Sequence, residues 1–575
     1  MKKSNYLLSM ILGVASLNSV AQTARLEVIH NSADAAAAVV DIYVNGGLEP
    51  FIDDFAFRTS SGFVDVPSGV ALSIGVAGGN STGPGDILVT VPVGPLMSGQ
   101  TYIAIANGIV SPVGYSPAPS FDLDIFTGAR ETAAGGAGTN DVLVYHGSTD
   151  APMVDVDELA VVGGEAVNDL SYSQFQGYLT LGVEDYLLQV QAASSGAAVA
   201  AFDAPLATLG VNGAALTVLA SGFLDPSTNS NGPAFGLFVS TGAAGALLAL
   251  PSPEARLEVI HNSADAAAAV VDVFVNGDEL IPDFAFRTTS GFITVPAGMP
   301  LDIDVAPNGA GIAGSVGTIS IPFLASGETY IAIANGIVSP TGYSPAPAFG
   351  LDIFAGAREE AANQGADETD VLVYHGSTDA PTVDVAETGV GAGTVVNDIS
   401  YGEFQGYLEL GTLNYQLTIQ DATGAVNVAA FDAPLETLGL QDAAITVLAS
   451  GFFDPSMNSN GAGFGLWVSL GTNGSLIPLS NVTGVEDVES ISNAALFPNP
   501  TNDNATMFFE LVDDTNINLE VVNTMGQRVV VKSFGEMLTG NHRVEIPASE
   551  LAPGFYFVNL RTDNGVVSAK MQVVK

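Results

Sequence analysis

Apolar and polar residues alternate over short stretches along much of the chain, as in strands that bury one face. For residues 24–130 this pattern predicts strands near residues 25–30, 39–44, 63–66, 70–77, 87–92, 101–106 and 121–126. The alternation is clearest in Asp41-Ile42-Tyr43-Val44, and Asn45-Gly46 follows it as a natural hairpin turn. Short strands punctuated by Gly and Pro predict a two-sheet, immunoglobulin-like sandwich, with a closed barrel as the alternative.

The same pattern recurs because the body of the chain is a tandem duplication. Residues 24–46 (ARLEVIHNSADAAAAVVDIYVNG) are identical to residues 255–277 except that Ile42 and Tyr43 become Val273 and Phe274. Each half is itself double, since VIHNSADA from residue 28 resembles VYHGSTDAP from residue 144. The sequence therefore predicts an all-β chain of four sandwich units at 24–130, 141–250, 255–358 and 370–480, then a linker at 481–493 and a small C-terminal β-sandwich at 494–575.

Composition supports this fold and excludes several partners. Hydrophobic residues make up 47% of the chain and charged residues 13%, with 65 Gly and 30 Pro, which suits strands and turns. The formal net charge is -47, so phosphates would be repelled and nucleic acid is excluded as a partner. There is no Cys, which excludes disulfides, thiolate chemistry and a lipid-anchored N-terminal Cys. The basic residues of the body are all arginines: Arg25, Arg58, Arg130, Arg256, Arg287 and Arg358.

The first residues are typical of a cleaved signal peptide at positions 1–21. Lys2 and Lys3 supply the positive start, residues 7–17 the apolar stretch, and Ser19-Val20-Ala21 the small-residue cleavage site. We expect the mature chain to begin at Gln22. No later stretch offers about twenty uninterrupted apolar residues, so we expect full export without a membrane-spanning segment.

The C-terminal region carries several motifs in order. LFPNPTNDNATMFFEL begins at residue 496, LEVVNTMGQRVV at 519 and LAPGFYFVNLRTDNG at 551, and the chain ends in KMQVVK. On these motifs the region resembles the type A sorting domain of the type IX secretion system, with Phe497 replacing the commoner Tyr and Asn523 a frequent Asp. The resemblance implies recognition by the type IX machinery, passage through the outer membrane, removal of this module, and either surface attachment or release. The motif residues are Pro498, Asn499, Pro500, Gly526, Gly554, Tyr556, Lys570 and Lys575.

The four units share an opening of the form V-x-H-x-S-x-D-A-P. It is complete at residues 145–152 and 374–381, whereas Ala36 and Ala267 replace the Pro in the first and third units. With the later aromatic and glycine-containing strands, these openings resemble the bacterial repeat family called domain of unknown function 4397, over essentially residues 24–480. The resemblance implies a fold and an extracellular context, and no substrate.

This repeated motif is the sharpest candidate site, because a His is followed at +2 by Ser and at +4 by Asp. Alternate residues of an extended strand lie roughly 6 to 7 Å apart, too far for a Ser-His-Asp relay. One His per unit also falls short of a zinc site. We therefore predict a structural role, in which His bonds the following turn and Ser and Asp cap backbone amides, and we expect no enzymatic activity. The residues are His30, Ser32, Asp34, His146, Ser148, Asp150, His261, Ser263, Asp265, His375, Ser377 and Asp379.

Calcium is the possible cofactor, because carboxylates gather at Asp150, Asp155, Asp157 and Glu158. Their spacing matches no known calcium loop, and a solvated acidic surface is the alternative. The loops at 111–120 and 339–348 hold Tyr115 and Tyr343 between prolines. Such loops suit either recognition or the protection of a sheet edge.

These observations predict a secreted cell-surface protein that binds or adheres to an extracellular glycan or protein. Four sandwiches in a spaced array would gain strength from multivalency. A structural spacer or surface-layer component without a specific ligand is the alternative, and an extracellular hydrolase is a third possibility.

Overall fold

The computed structural model describes residues 22–111, 113–482, 491–523, 527–562 and 566–575, and this part of the chain consists mainly of β-strands and turns. The predicted signal peptide and most of the predicted linker lie outside the described residues. In the described part, no helix has the length and apolar character needed to cross a membrane. The chain forms two compact units: one contains the chain up to Pro340, Ala348–Arg358 and Gly471–Ser475, and the other contains Thr341–Pro347, Glu359–Leu470 and Leu476–Lys575.

The first repeat is a two-sheet sandwich, as predicted. Its strands are β1 (Thr23–His30), β2 (Val39–Val44), β3 (Ile52–Ala56), β4 (Thr59–Pro67), β5 (Leu72–Gly78), β6 (Ile87–Val93), β7 (Thr101–Asn107) and β8 (Asp122–Thr127). One sheet has the order β4-β1-β7-β8 and the other β3-β2-β5-β6. The central pair β1 and β7 is parallel, with His30 opposite Ala106, and the other pairs are antiparallel. The sequence pattern missed β3, because Asp53 and Asp54 interrupt its apolar residues.

The other three repeats have the same two-sheet organisation. The second contains β9 (Thr139–His146), β10 (Val154–Glu158), β11 (Gly164–Leu170), β12 (Phe175–Gly182), β13 (Asp185–Ala192), β14 (Ala197–Pro205), β15 (Ala215–Ser221), β16 (Gly236–Ser240), β17 (Ala244–Ala246) and β18 (Leu248–Ala249). The third contains β19 (Glu254–His261), β20 (Val270–Val275), β21 (Asp278–Ala285), β22 (Thr288–Pro296), β23 (Leu301–Pro307), β24 (Thr318–Ile321), β25 (Thr329–Asn335) and β26 (Gly350–Ala355). The fourth contains β27 (Glu368–His375), β28 (Val383–Glu387), β29 (Gly393–Ile399), β30 (Phe404–Gly411), β31 (Asn414–Asp421), β32 (Asn427–Pro434), β33 (Ala444–Ser450), β34 (Gly465–Ser469), β35 (Gly474–Ser475), β36 (Ile477–Pro478) and β37 (Ser480–Asn481).

Short 3-10 helices lie in the loops between these strands. They are Ala35–Ala37, Pro84–Asp86, Gly136–Gly138, Pro226–Thr228, Ala266–Ala268, Ile312–Gly314 and Pro455–Met457. Asp34 and its equivalent Asp265 begin two of them, because each carboxylate accepts a hydrogen bond from a backbone amide of the helix that follows.

The C-terminal domain is a small sandwich with its own core. Its strands are β38 (Ile491–Phe497), β39 (Asn504–Leu511), β40 (Thr515–Asn523), β41 (Arg528–Met537), β42 (Gly540–Pro547), β43 (Gly554–Arg561) and β44 (Val566–Val573). One sheet has the order β38-β39-β42 and the other β41-β40-β43-β44. Met507, Leu519 and Val558 are fully buried between them, because alternate residues of each strand point inward.

The first and second repeats share a hydrophobic core. Ile29 and Ile105 of the first repeat lie in one buried cluster with Leu143, Tyr145 and Leu219 of the second. The β1-containing sheet therefore packs against the β9-containing sheet, and β7 and β15 are buried along most of their length. This differs from the expected row of separate sandwiches, because the outward faces of these central strands are apolar and require a partner.

An added strand strengthens the pairing. The segment β17, which follows β16 in the second repeat, adds to the sheet of the first through antiparallel pairing with β4. A later segment, β35, pairs in the same way with β22 of the third repeat. The third repeat also contacts the second: Gln189 Nε2 donates to Gly298 O, and Ser326 Oγ donates to the Asp203 carboxylate at 2.8 Å.

The sandwich interiors are not equally filled. A cavity of about 260 Å³ separates the sheets of the first repeat, whereas the equivalent space in the third repeat is about 30 Å³. Cavities of about 350 and 160 Å³ lie in the second and fourth repeats. At about 24 cal/mol per Å³, an empty 260 Å³ cavity would cost about 6 kcal/mol relative to a filled core. That is a large fraction of the stability of a typical domain.

Candidate functional site

The His of the repeated motif ends the first strand of each repeat and points into the sandwich. In the first repeat His30 is fully buried, and its Nε2 donates to Ala37 O at 2.7 Å. Its Nδ1 faces the backbone amide of Ser32 at 3.4 Å, and its ring lies beside Phe55 with centroids 5.7 Å apart. Burial lowers the pKa of His30 to about 4 despite the bond to Ala37. The ring is therefore neutral at physiological pH and holds the turn after β1.

Ser32 and Asp34 join this turn to the loop that follows β7. Ser32 Oγ donates to Gly108 O at 2.6 Å, which differs from the expected amide-capping role because a carbonyl faces the hydroxyl. Asp34 accepts from the amides of Ala36, Val110 and Ser111 and from the Ser111 hydroxyl. Burial raises the pKa of Asp34, but these bonds outweigh it and leave the pKa below its usual range.

The other repeats place the motif in the same way. The His ring donates to a turn carbonyl in each case, the Ser hydroxyl donates to a glycine carbonyl, and the Asp accepts from backbone amides. These residues are His146, Ser148, Asp150, His261, Ser263, Asp265, His375, Ser377 and Asp379. In the described repeats the Ser hydroxyl bonds a carbonyl and not the imidazole, so the motif forms no hydrolytic relay.

Arg58 connects the first two repeats, and its position explains why arginine recurs here. Its guanidinium lies 3.8 Å from the ring centroid of Phe238, in the second repeat, and 4.7 Å from that of Phe57. It also donates to Ser221 Oγ and O and to Ala234 O, at 2.8 to 3.1 Å. Burial lowers the pKa of Arg58 to about 10, so the group stays charged at neutral pH.

The other two arginines of this pair of repeats also have partners. Arg25 forms two 2.9 Å bonds to Glu131. Arg130 contacts the fully buried Asp141 at 2.7 Å and lies 4.6 Å from the ring centroid of Tyr178. The three arginines of the first two repeats are therefore used in internal contacts. The remaining charged side chains of these two repeats are largely acidic.

Polar groups are buried where the two repeats meet. The Tyr145 hydroxyl donates to Asp124 and accepts from Asn107 Nδ2 at 2.7 Å. Burial, together with the Asp124 charge, raises the pKa of Tyr145 well above its usual value. Asn31 Nδ2 donates across the boundary to Gly147 O at 3.2 Å. These contacts define how the two repeats align.

Glu27 is a second buried acid at this boundary. Its side chain is almost fully buried and accepts from Ser60 at 2.6 Å and from Ser240, which belongs to the second repeat. Burial raises its pKa, and the two hydroxyls offset this only in part.

Tyr115 and Ser116 of the proline-flanked loop lie within this boundary. The Tyr115 hydroxyl accepts from Ala35 N at 3.0 Å, and its ring lies 5.6 Å from that of Phe223 in the second repeat. Asn229 Oδ1 accepts from Ser116 N. Both the ring and the hydroxyl of Tyr115 are thus occupied by internal contacts, which favours the structural alternative for this loop.

The four predicted calcium ligands do not converge. Asp150 bonds the loop after β15, Asp155 accepts from Asp169 N, and Asp157 accepts from Gln191. Glu158 accepts from the amides of residues 160–163. Calcium binding at these residues therefore has no geometric support.

Among the described residues, three metal-ligating side chains come close together in one place: carboxylate oxygens of Asp41, Asp53 and Asp54 lie within 4.8 Å of one another. The sequence pattern gave no sign of this group, because Asp41 is distant in sequence from Asp53 and Asp54 and β3 was not predicted. Asp41 already accepts from Asp54 N and Ser81, and Pro282 stands where the third repeat would need the counterpart of Asp53.

The C-terminal motifs tie the two edges of the last domain together. Asn499 Nδ2 donates to Lys570 O at 2.7 Å, and Asn499 Oδ1 accepts from Gln572 N at 2.8 Å, so this side chain pairs with β44 as a strand would. Tyr556 is buried and donates to Ala552 O. The Lys570 ammonium lies 4.2 Å from the Phe555 ring centroid. Pro498 and Pro500 flank Asn499, Gly554 begins β43, Lys575 is exposed, and Gly526 lies outside the described residues.

Comparison with known families identifies this domain. Residues 495–575 match the secretion system C-terminal sorting domain. They form a type IX sorting domain. The sorting domain indicates that the protein is exported by type IX secretion to the cell surface or the medium, and it implies recognition by that machinery. Residues 369–458 match the domain of unknown function (DUF4397), in agreement with the resemblance of the repeats.

Similarities to other proteins are low. A search of the curated proteins found no match. Among solved structures, the Bacillus anthracis TIE protein is 10% identical, with 79% of this chain and 70% of that chain covered and a TM-score of 0.12. Dimeric latent PorU from Porphyromonas gingivalis is 11% identical, with 74% and 34% covered and a TM-score of 0.13. PorZ, a bacterial surface component of the type IX system of the same organism, is 12% identical, with 94% and 73% covered and a TM-score of 0.13. Such TM-scores carry no argument about fold or activity.

Proposed function

We propose that the exported protein is a non-enzymatic binding or adhesive protein whose repeats present the same surface more than once. The observation that carries this proposal is that the polar residues repeated from unit to unit make internal hydrogen bonds. The motif His, Ser and Asp bond backbone groups of their own repeat, and Arg58 joins two repeats. These residues build a scaffold, and repeated scaffolds support multivalent contacts.

Charge restricts the class of partner. The chain has a net charge of -47, and the arginines of the first two repeats face Glu131, Asp141 or aromatic rings. A polyanionic ligand would meet repulsion without compensating cations. The proposal is therefore an extracellular glycan or protein with a neutral or cationic surface.

Glycan and protein arrays probed with the mature protein test this proposal. We expect reproducible binding to neutral or cationic ligands, and dissociation that slows as ligand density rises, because several repeats engage at once. As a control, Arg25→Ala changes an exposed internal ion pair and should leave the binding profile unchanged. Absence of binding would favour the spacer alternative, and selective binding to polyanions would contradict the charge argument.

A further inference from the structure

The first repeat contains an internal space that neither the scaffold nor the sorting domain uses. The cavity of about 260 Å³ lies between its two sheets and is lined almost entirely by hydrocarbon side chains, including Val28, Ile74 and Leu123. The core residues around it fall into two separate clusters, and these three side chains contact both. The sheets therefore stand apart at the centre of the sandwich.

The lining offers no hydrogen bond to a ligand. His30 is the polar residue on the cavity wall, and its Nε2 is bonded to Ala37 O while its Nδ1 faces the Ser32 amide. Water needs two to four polar partners to occupy a buried space stably. A space of this size and character is therefore suited to an apolar molecule.

The third repeat has a closely related wall that encloses much less space. Its cavity of about 30 Å³ is lined by equivalents of most of these residues, among them Val259, Ile303 and Leu351. The differences are small: Ile42 corresponds to Val273, Phe51 to Leu280 and Val93 to Ile321. Two closely related linings thus enclose very different volumes.

We propose that the sandwich of the first repeat binds a small apolar ligand, an aliphatic chain of roughly ten carbon atoms, between its sheets. The size follows from scaling, because an apolar cavity of about 150 Å³ holds benzene. Phe51 lines the cavity and is half exposed, so it lies at the boundary with solvent. A polar end group of the ligand would remain outside at Phe51, since the interior has no partner for it.

Titration of the full mature chain with 1-octanol, followed by calorimetry and native mass spectrometry, tests the proposal. Ala104 lies on β7 in the cavity wall, and Ala332 is its equivalent on β25 around the closed cavity. Ala104→Leu adds three carbons into open space, so it should fold normally and reduce the number of bound octanol molecules by one per chain. Ala332→Leu is the matched control, which should retain that binding while lowering the melting temperature, because its cavity is too small.

Two results would overturn the proposal. One is that the unmodified chain binds no octanol, and the other is that a folded Ala104→Leu protein binds the same number of octanol molecules as the unmodified chain. If Ala104→Leu fails to fold, Ala106→Leu on the same wall replaces it as the test variant and should likewise bind one octanol molecule fewer per chain. An unchanged number of bound octanol molecules in a folded Ala106→Leu chain would also contradict the site.

Discussion

Substitution of Gly147 by Ala tests the boundary between the first two repeats at a single atom. A Cβ at this position would collide with Asn31 Nδ2 of the first repeat and would lie 2.8 Å from Ala220 O and from Tyr145 Cε1. Asn31 could move, but the backbone carbonyl of Ala220 in β15 could not do so without shifting the strand. Glycine is required at this position because neighbouring atoms approach its Cα too closely to leave room for a Cβ.

The expected cost has two parts. Overpacking of a tight site costs about 1 to 3 kcal/mol. Displacing Asn31 breaks its bonds to Gly147 O and Ala220 O, each worth about 1 kcal/mol. We therefore expect Gly147→Ala to lower the free energy of unfolding of the first two repeats by about 3 to 5 kcal/mol.

Gly177→Ala is the matched control. Gly177 lies in β12 of the same repeat, and a Cβ there would meet no atom within 4 Å. Urea unfolding of both variants, with hydrogen exchange of peptides from β1 and β9, measures the difference. Equal unfolding midpoints for the two variants would refute the close-contact reasoning, and so would a loss of protection confined to β9.

Three further predictions concern charged and titratable groups. Arg58→Ala should lower the free energy of unfolding by about 2 to 4 kcal/mol, because it removes hydrogen bonds and ring contacts across the repeat boundary. Arg25→Ala, which breaks an exposed ion pair, should cost less than about 1 kcal/mol. Equal losses of the two variants in urea titrations would contradict this. Glu27→Gln should stabilise the protein at pH 7 but not below about pH 4. The pKa of Glu27 is raised in the folded state, so its buried carboxyl stabilises the fold at low pH, where it is protonated, and this stability is lost as the pH rises through that pKa. A difference in melting temperature that does not change with pH would contradict this. NMR titration should show that His30 and His261 stay neutral until the pH falls to about 4. Their contribution to stability is therefore complete above about pH 6.5 and is lost as the pH falls toward 4. A titration midpoint near pH 6.5 for either ring would contradict its burial.

The sandwich architecture could be predicted from the local alternation of apolar and polar residues. The packing of the first repeat against the second could not be predicted in this way. Alternation revealed most strands of the first repeat but not β3, where Asp53 and Asp54 lie outward on an edge strand. The signal for pairing was present in TYIAIAN at residues 101–107, an almost continuous apolar run typical of strands buried on both faces. Sequence alone does not say which surface covers the second face.

Strand geometry was enough to predict a structural role for the repeated motif. The hydrogen-bond partners of its side chains could not be predicted, because they lie in loops that are distant in sequence. Asp34 bonds amides at residues 110 and 111, which only the parallel placement of β1 beside β7 brings close. The calcium prediction rested on the closeness of Asp155 and Asp157 to Glu158 along the chain. In the fold the Glu158 carboxylate accepts from amides of its own turn, whereas Asp155 and Asp157 accept from residues of other strands.

Native-state hydrogen exchange of the mature protein over a urea series tests the central claim that the first two repeats fold as one unit. Amides of β7 and β15 lie in the two sheets that share a core. We predict that the opening free energies of these amides converge on one value and fall together in Gly147→Ala. Two separate values, with only the second repeat responding to the substitution, would contradict it.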